Sequence, residues 1–281
     1  LLDALGHRPR KQLGQNFLVD GNIVRKSLEL GAVAAGDRVV EVGPGLGTLT
    51  GALLATGAEV FAIERDPVLA AHLRDTLVSA SEGRLHLIEG DAVQLPLASL
   101  PESESAAAAA SARRDFKIVA NLPYAISTPW MEAVLAGPLP QRMVLMLQLE
   151  AAQRYAAMPG TKSFGAISVF LQAAYAIAGS HRVSRTCFHP VPDVDSNLIH
   201  LERRAEPASF SQETRALVRG WFQHRRKQLA PQVRRSIPDV SEIWMRELET
   251  LGVRADARPE DVPVAGWIAL ERELGRESAH T

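Results

Sequence analysis

Between residues 38 and 149, short β-branched and apolar runs alternate with stretches of helical period, and that alternation leaves the chain few ways to fold. Arg38-Val39-Val40-Glu41-Val42 is strand-like and ends in Gly43-Pro44-Gly45-Leu46-Gly47, after which Thr48 to Ala55 takes a helical pattern. Glu59 to Glu64 predicts a second strand, Pro67 to Leu77 a second helix with proline in its first turn, and Leu85 to Asp91 a third strand. Phe116 to Ala120 and Met143 to Leu149 are the fourth and fifth strands. Strands and helices alternating at this spacing predict an α/β fold, a parallel sheet covered on both faces. A helical pattern from Val24 to Leu30 precedes the first strand, and Arg182-Val183 and Asn197 to Leu201 flank the proline-rich segment 187–196 as a closing hairpin.

At 281 residues the chain exceeds one average domain. The β pattern stops near Arg203-Arg204-Ala205-Glu206-Pro207 and the remainder has helical period, so residues 1–204 are expected to form an α/β unit and 205–281 a helical one. Within the first, the Ser/Glu/Ala-rich stretch 97–114 predicts a flexible surface insertion, a short alanine helix being the alternative. Hydrophobic residues at 46% and charged residues at 22% suffice for a full core and exclude global disorder. The single cysteine, Cys187, excludes an internal disulfide and is expected to act as a small buried hydrophobe. No Cys/His spacing suits zinc, no leader-like segment opens the chain, and no run reaches the ~20 apolar residues of a membrane helix, so a soluble cytoplasmic protein is expected.

The chemistry collects at strand ends. Gly43, Gly45 and Gly47 let backbone approach a ligand and aim a helix N-terminus at it, with acidic Glu41 just before them. The spacing is GxGxG rather than the GxGxxG of nicotinamide-binding folds. Glu64 ends the next strand, 21 positions past Gly43, where a carboxylate can accept both hydroxyls of a ribose. These features fit an adenosine-containing cofactor of either kind, or a plain tight turn with a solvated Glu64. Asp91, ending the third strand, can accept from an adenine amine or cap a helix. At the fourth strand's end stands Asn121-Leu122-Pro123-Tyr124. Asn121 and the Leu122 carbonyl can accept the two hydrogens of an exocyclic amine and expose its lone pair, while Tyr124 stacks on the base.

With these motifs in order, the chain resembles the ribosomal RNA adenine dimethyltransferases, most closely the bacterial small-subunit type. The matching segments are Leu13 to Leu18, Glu41 to Gly47, Glu64-Arg65-Asp66, Gly90-Asp91-Ala92, Asn121 to Tyr124 and Phe188 to Ser196, within a resemblance running from about Arg8 to Gly275. The resemblance implies a class I, Rossmann-like methyltransferase domain using S-adenosyl-L-methionine, followed by a small helical domain. It implies that Asn16 and Leu18 contact the cofactor from the N-terminal arm, Gly43 and Gly45 line its amino-acid end, Glu64 holds its ribose and Asp91 its adenine. Asn121 would lie between cofactor and target amine, and Phe188 would be a second stacking wall opposite Tyr124. The implied product is N6,N6-dimethyladenosine at two adjacent adenines of the 3′-terminal hairpin of small-subunit ribosomal RNA, made by a monomer acting on a pre-30S-type particle. The chain departs from the family at Asp193, where a lysine is common, and at Ala230-Pro231, where an asparagine is usual.

The net charge of -1 argues at first against a polyanionic partner, yet charge is unevenly spread. Nine basic residues (Arg203, Arg204, Arg215, Arg219, Arg225, Arg226, Lys227, Arg234 and Arg235) face only Glu206 and Glu213, while after Ser236 five arginines face ten acids. Arg225, Arg226 and Lys227, with Arg8, Arg10 and Lys11 of the arm, are the expected RNA contacts. Alternatives are a large-subunit methyltransferase of the antibiotic-resistance type, a mainly non-catalytic assembly or transcription factor on the same fold, and a nicotinamide dehydrogenase.

Overall fold

The computed structural model describes residue 2 and residues 5–10, 14–101 and 116–278. Lys11 and residues 102–114 of the expected insertion 97–114 lie outside the described residues. The elements are β1 (Phe17–Leu18), α1 (Gly21–Gly31), β2 (Arg38–Val42), α2 (Thr48–Ala55), β3 (Glu59–Glu64), α3 (Pro67–Leu73), β4 (Leu85–Glu89), β5 (Phe116–Asn121), α4 (Ser127–Val134) and β6 (Arg142–Gln148). They continue with α5 (Leu149–Tyr155), α6 (Ala166–Ala174), β7 (Tyr175–Val183), β8 (Phe188–His189), β9 (Ser196–Arg203), α7 (Gln212–Gln223), α8 (Leu229–Ser236), α9 (Pro238–Thr250) and α10 (Val264–Ser278).

Seven strands pair in the order β4-β3-β2-β5-β6-β9-β7, with the first five parallel and β9 antiparallel to β6. Val39, Val40 and Val42 of β2 and Met143 to Leu147 of β6 are at most 1% exposed, because helices cover both faces and no solvent side remains for alternate residues. β2 pairs with β3 on one side and β5 on the other. The chain reverses its direction of winding there, and the helices leaving β2 and β5 diverge to open a crevice beyond the strands' carboxyl ends.

Three features go beyond the sequence pattern. β7 begins at Tyr175, well before the expected Arg182-Val183. The helix after Pro67 ends its α segment at Leu73 and continues as a π turn over Arg74–Val78. A second, two-stranded sheet joins β1 to β8, with Leu18 opposite Phe188 and Phe17 opposite His189, too short on either side to show a period.

The chain divides into two compact units, Leu1–Ala152 with Ile177–Arg203, and Gln153–Ala176 with Arg204–Thr281. A single cut at 204 leaves α6 in the first unit; the structure groups it with the helical one. The reason is visible within that second unit. Gln172 of α6 donates to the carbonyls of Tyr155 and Ala157, Arg204 donates to the Gln172 carbonyl, and Phe170 packs on Phe210 with ring centroids 5.2 Å apart.

The second unit is built on Trp221, Trp244 and Trp267, whose ring centroids lie 5.6 to 6.1 Å apart. Both fully buried indoles are satisfied, Trp244 donating to the Gly266 carbonyl at 2.8 Å and Trp267 to that of Val262 at 3.2 Å. Trp244→Ala would empty the centre of this cluster and orphan an acceptor. We expect a loss of about 3–5 kcal/mol in the unfolding free energy of this unit, read from urea denaturation.

Candidate active site

The crevice at the carboxyl ends of β2 and β5 is a cavity with about 1100 Å³ of empty space, its open mouth included. It is floored by the turn after β2. Gly43 (φ 66°) and Gly45 (φ 59°) hold left-handed backbone, and a Cβ at Gly45 would stand 2.9 Å from the Phe17 ring while one at Gly43 would meet Pro123 at 3.2 Å. The turn is therefore pressed between the N-terminal arm and the Asn121–Tyr124 segment, and only glycine fits at both points.

Glu64 ends β3 buried, with one carboxylate oxygen accepting from the Gly45 N–H at 3.0 Å and the other from the Asp66 N–H at 2.8 Å. Burial pushes its pKa up, and those backbone donors oppose the rise. The Arg65 N–H acts as a third backbone donor, which leaves the carboxylate capacity for a further one. Asp91 also lines the cavity; one oxygen caps the following turn through the Val93 N–H at 2.9 Å and the other faces the Arg65 guanidinium at 3.4 Å. Asp91 thus caps a turn with one oxygen and stands at the cavity wall.

Asn121 comes off β5 into the same cavity, its Nδ2 donating to the Asn16 carbonyl at 3.0 Å. That bond orients the amide and leaves Oδ1 as its unspent acceptor. Among the described residues nothing donates to the Leu122 carbonyl either. Tyr124 is half-buried and its hydroxyl is tied to the Ser196 hydroxyl at 2.6 Å. Asn16 and Leu18 reach the cavity from the arm. Phe188 does not: it is 1% exposed, packed in the apolar cluster with Leu18 and Val24, because the β1–β8 pairing directs Leu18 and Phe188 to the same inner side. Cys187, half-buried beside Asp20, has its thiol pKa pushed up by burial and by that carboxylate.

Two charged residues of the cavity, Arg65 and Glu41, left little mark in the sequence. Arg65 carried no signal beyond its place after Glu64. Glu41 stood out only as an acid on a buried strand, yet it is 1% exposed and its Oε2 has no hydrogen-bond partner among the described residues. Burial raises its pKa from 4.5 to about 8, with the nearby Thr50 hydroxyl opposing and the charge of Glu64 adding.

In the helical unit the basic run is smaller than the composition suggests. Arg215 is buried and donates to the Phe210 carbonyl, Arg225 is paired with Glu260, and Arg234 lies 3.6 Å from Glu242. The expected RNA contact at Arg225 is thus taken up by an internal ion pair. Arg226, Lys227 and Arg235 are exposed and form no ion pair among the described residues, and Lys227 and Arg235 line one notch with His224. In the first unit Arg8 is exposed, while Arg10 stands 3.7 Å from Asp66. Among the described residues, no helix is long and apolar enough to cross a membrane.

A parallel sheet with one antiparallel strand near its edge, a glycine turn at the switch point and an acid ending the next strand define the class I methyltransferase fold. Two solved structures share it: a dimethyladenosine transferase from Plasmodium falciparum (TM-score 0.74, 22% identity, 93% of this chain and 98% of that one) and the 23S rRNA methyltransferase ErmE (TM-score 0.67, 24% identity, 92% and 100%). The family model for ribosomal RNA adenine dimethylase matches residues 6–274, and the chain belongs to that family. Relatives named ribosomal RNA small subunit methyltransferase A include those of Opitutus terrae, 60% identical over 96% of this chain and 95% of its own length, and Leifsonia xyli, 41% identical over 96% and 94%.

Glu41 gives the site a pH signature. Between about pH 4.5 and 8 its carboxyl is protonated in the fold and ionised in the unfolded chain, so unfolding releases a proton there. Its contribution to stability is full below that window and is lost as pH rises through it. In Glu41→Gln this loss disappears: the urea midpoint should fall less steeply with pH than in the wild type and be the higher of the two near pH 8.

Proposed function

We propose that this chain transfers methyl groups from S-adenosyl-L-methionine to the N6 amines of two adjacent adenines in the 3′-terminal hairpin of small-subunit ribosomal RNA. The observation that carries the reading is the pair of unspent acceptors, Asn121 Oδ1 and the Leu122 carbonyl, at the mouth of a cavity whose floor suits an adenosine cofactor. The family and the 60% identity to a small-subunit enzyme support that subunit's RNA over the large one's.

The residues fit the cofactor. Gly43 and Gly45 keep side chains out of its path, Glu64 offers its carboxylate to the ribose hydroxyls, and the buried Glu41 carboxyl, neutral in the empty cavity, has in Oε2 an atom without a partner among the described residues, which a bound cation would draw toward its ionised form. When bound, S-adenosylmethionine supplies a methyl group already activated on a positively charged sulfur. Asp91 then serves the cofactor adenine, and Asn16 and Leu18 close over it from the arm. At the other end, Asn121 and Leu122 accept the two amine hydrogens, which turns the nitrogen lone pair toward the donor, and Tyr124 stacks on the target base with its ring held by Ser196. The proton displaced from the methylated nitrogen passes to water; no strong base is required. Arg226 and Lys227, with Arg8, Arg10 and Lys11, contact RNA phosphates, and Arg235 joins them in place of Arg225. The protein acts as a monomer in the cytoplasm on a pre-30S-type particle.

Mass spectrometry of the small-subunit RNA 3′ end after incubation with enzyme and cofactor should show dimethylation of two neighbouring adenines; methylation confined to large-subunit RNA would refute the reading. Asn121→Ala should lower the methylation rate by at least about 100-fold while cofactor binding by calorimetry persists. Charge reversal of Arg226, Lys227 and Arg235 to Glu should weaken RNA binding and flatten its salt dependence, with S-adenosylmethionine affinity unchanged.

A further inference from the structure

Asp66 is completely buried, yet its carboxylate is needed by more than the helix it caps. One oxygen, Oδ1, accepts from the Val68 N–H at 3.0 Å and starts α3. The other, Oδ2, faces the N-terminal arm: it accepts from Gln15 Nε2 at 3.1 Å and lies 3.7 Å from both His7 Nε2 and Arg10 Nε. Gln15 is held from the opposite side, its Oε1 accepting from the Arg10 N–H at 2.7 Å and meeting His7 Nε2 at 3.2 Å. His7 is itself only 7% exposed. Three arm residues thus converge on one buried oxygen, and Asp66's own N–H is the group that holds Glu64 Oε1.

The consequence reaches the cavity from two directions. Gln15 is followed directly by Asn16, whose carbonyl receives Asn121, and by Phe17, whose ring packs on Gly45. Asp66 is two residues past Glu64. We infer that His7, Gln15 and Asp66 form a latch that fastens the N-terminal arm across the cofactor end of the cavity, making them positioning residues for cofactor binding. The inference rests on the proposed use of S-adenosylmethionine. His7 and Asp66 stand off the cavity lining and Gln15 is part of it, its side chain turned to Asp66; they act by fixing Asn16, Leu18 and Glu64.

The polarity of the latch gives its test. Gln15→Glu keeps the acceptor for His7 and Arg10 but sets a carboxylate against Asp66, so the arm should release. Adding Asp66→Asn returns a donor opposite an acceptor while keeping a side-chain oxygen for the Val68 cap. Calorimetric titration of the full chain with S-adenosylmethionine should show about a tenfold weaker Kd for Gln15→Glu and recovery to within about threefold for the double variant. In the cofactor-free protein, amide exchange of the peptide spanning 14–20 should be faster in Gln15→Glu and slowed again in the double variant, while the exchange of β2 and β6 is unchanged. Wild-type affinity in Gln15→Glu, or no recovery in the double variant, would overturn the latch. Failure of the wild type itself to bind S-adenosylmethionine would overturn the functional reading instead, and the exchange comparison would still decide whether the arm is fastened in this way.

Discussion

Glu64 presents a buried carboxylate whose two oxygens are both engaged by backbone N–H groups, Gly45 on the turn after β2 and Asp66 at the start of α3. That clasp joins two strand ends that share a parallel register from Arg38 opposite Glu59 to Val42 opposite Ile63. A buried carboxylate is costly unless its oxygens are satisfied, and here main-chain donors satisfy both of them. The glycine turn, the cap of α3 and the acid at the ligand edge are therefore held as one piece.

The other wall of the cavity depends on a different economy of hydrogen bonds. Asn121 spends its amide N–H₂ on the Asn16 carbonyl, and Tyr124 spends its hydroxyl on Ser196. What each residue retains, an amide oxygen and a ring face, is what a flat base with an exocyclic amine requires. The contrast with Phe188 is instructive. The same proline-rich segment supplies Ser196, which anchors Tyr124, and Phe188, which a two-residue strand pairing turns into the core.

In the helical unit, a run dense in arginine resolves into residues with different employment. Arg215 reaches a backbone carbonyl and lies over the Phe170 ring, Arg225 meets Glu260, and Arg226, Lys227 and Arg235 are left facing solvent. Arginines already engaged within the protein have less to gain from a phosphate backbone, so charge counted along the chain overstates the electrostatic footprint.

The parallel sheet and the order of the site motifs were legible in the sequence, because buried parallel strands must be continuous apolar runs and glycine must stand where the backbone turns with positive φ. Gly43, Glu64, Asp91 and Asn121 could be assigned to one edge of the sheet on that ground alone. What the tertiary structure decided were pairings between residues far apart in the chain, β1 with β8, α6 with the helical unit and Gln15 with Asp66, together with the burial of Glu41, whose Oε2 has no partner among the described residues. None of these leaves a local period or propensity. They arise when non-local burial selects which polar groups meet, and a linear pattern carries no record of that choice.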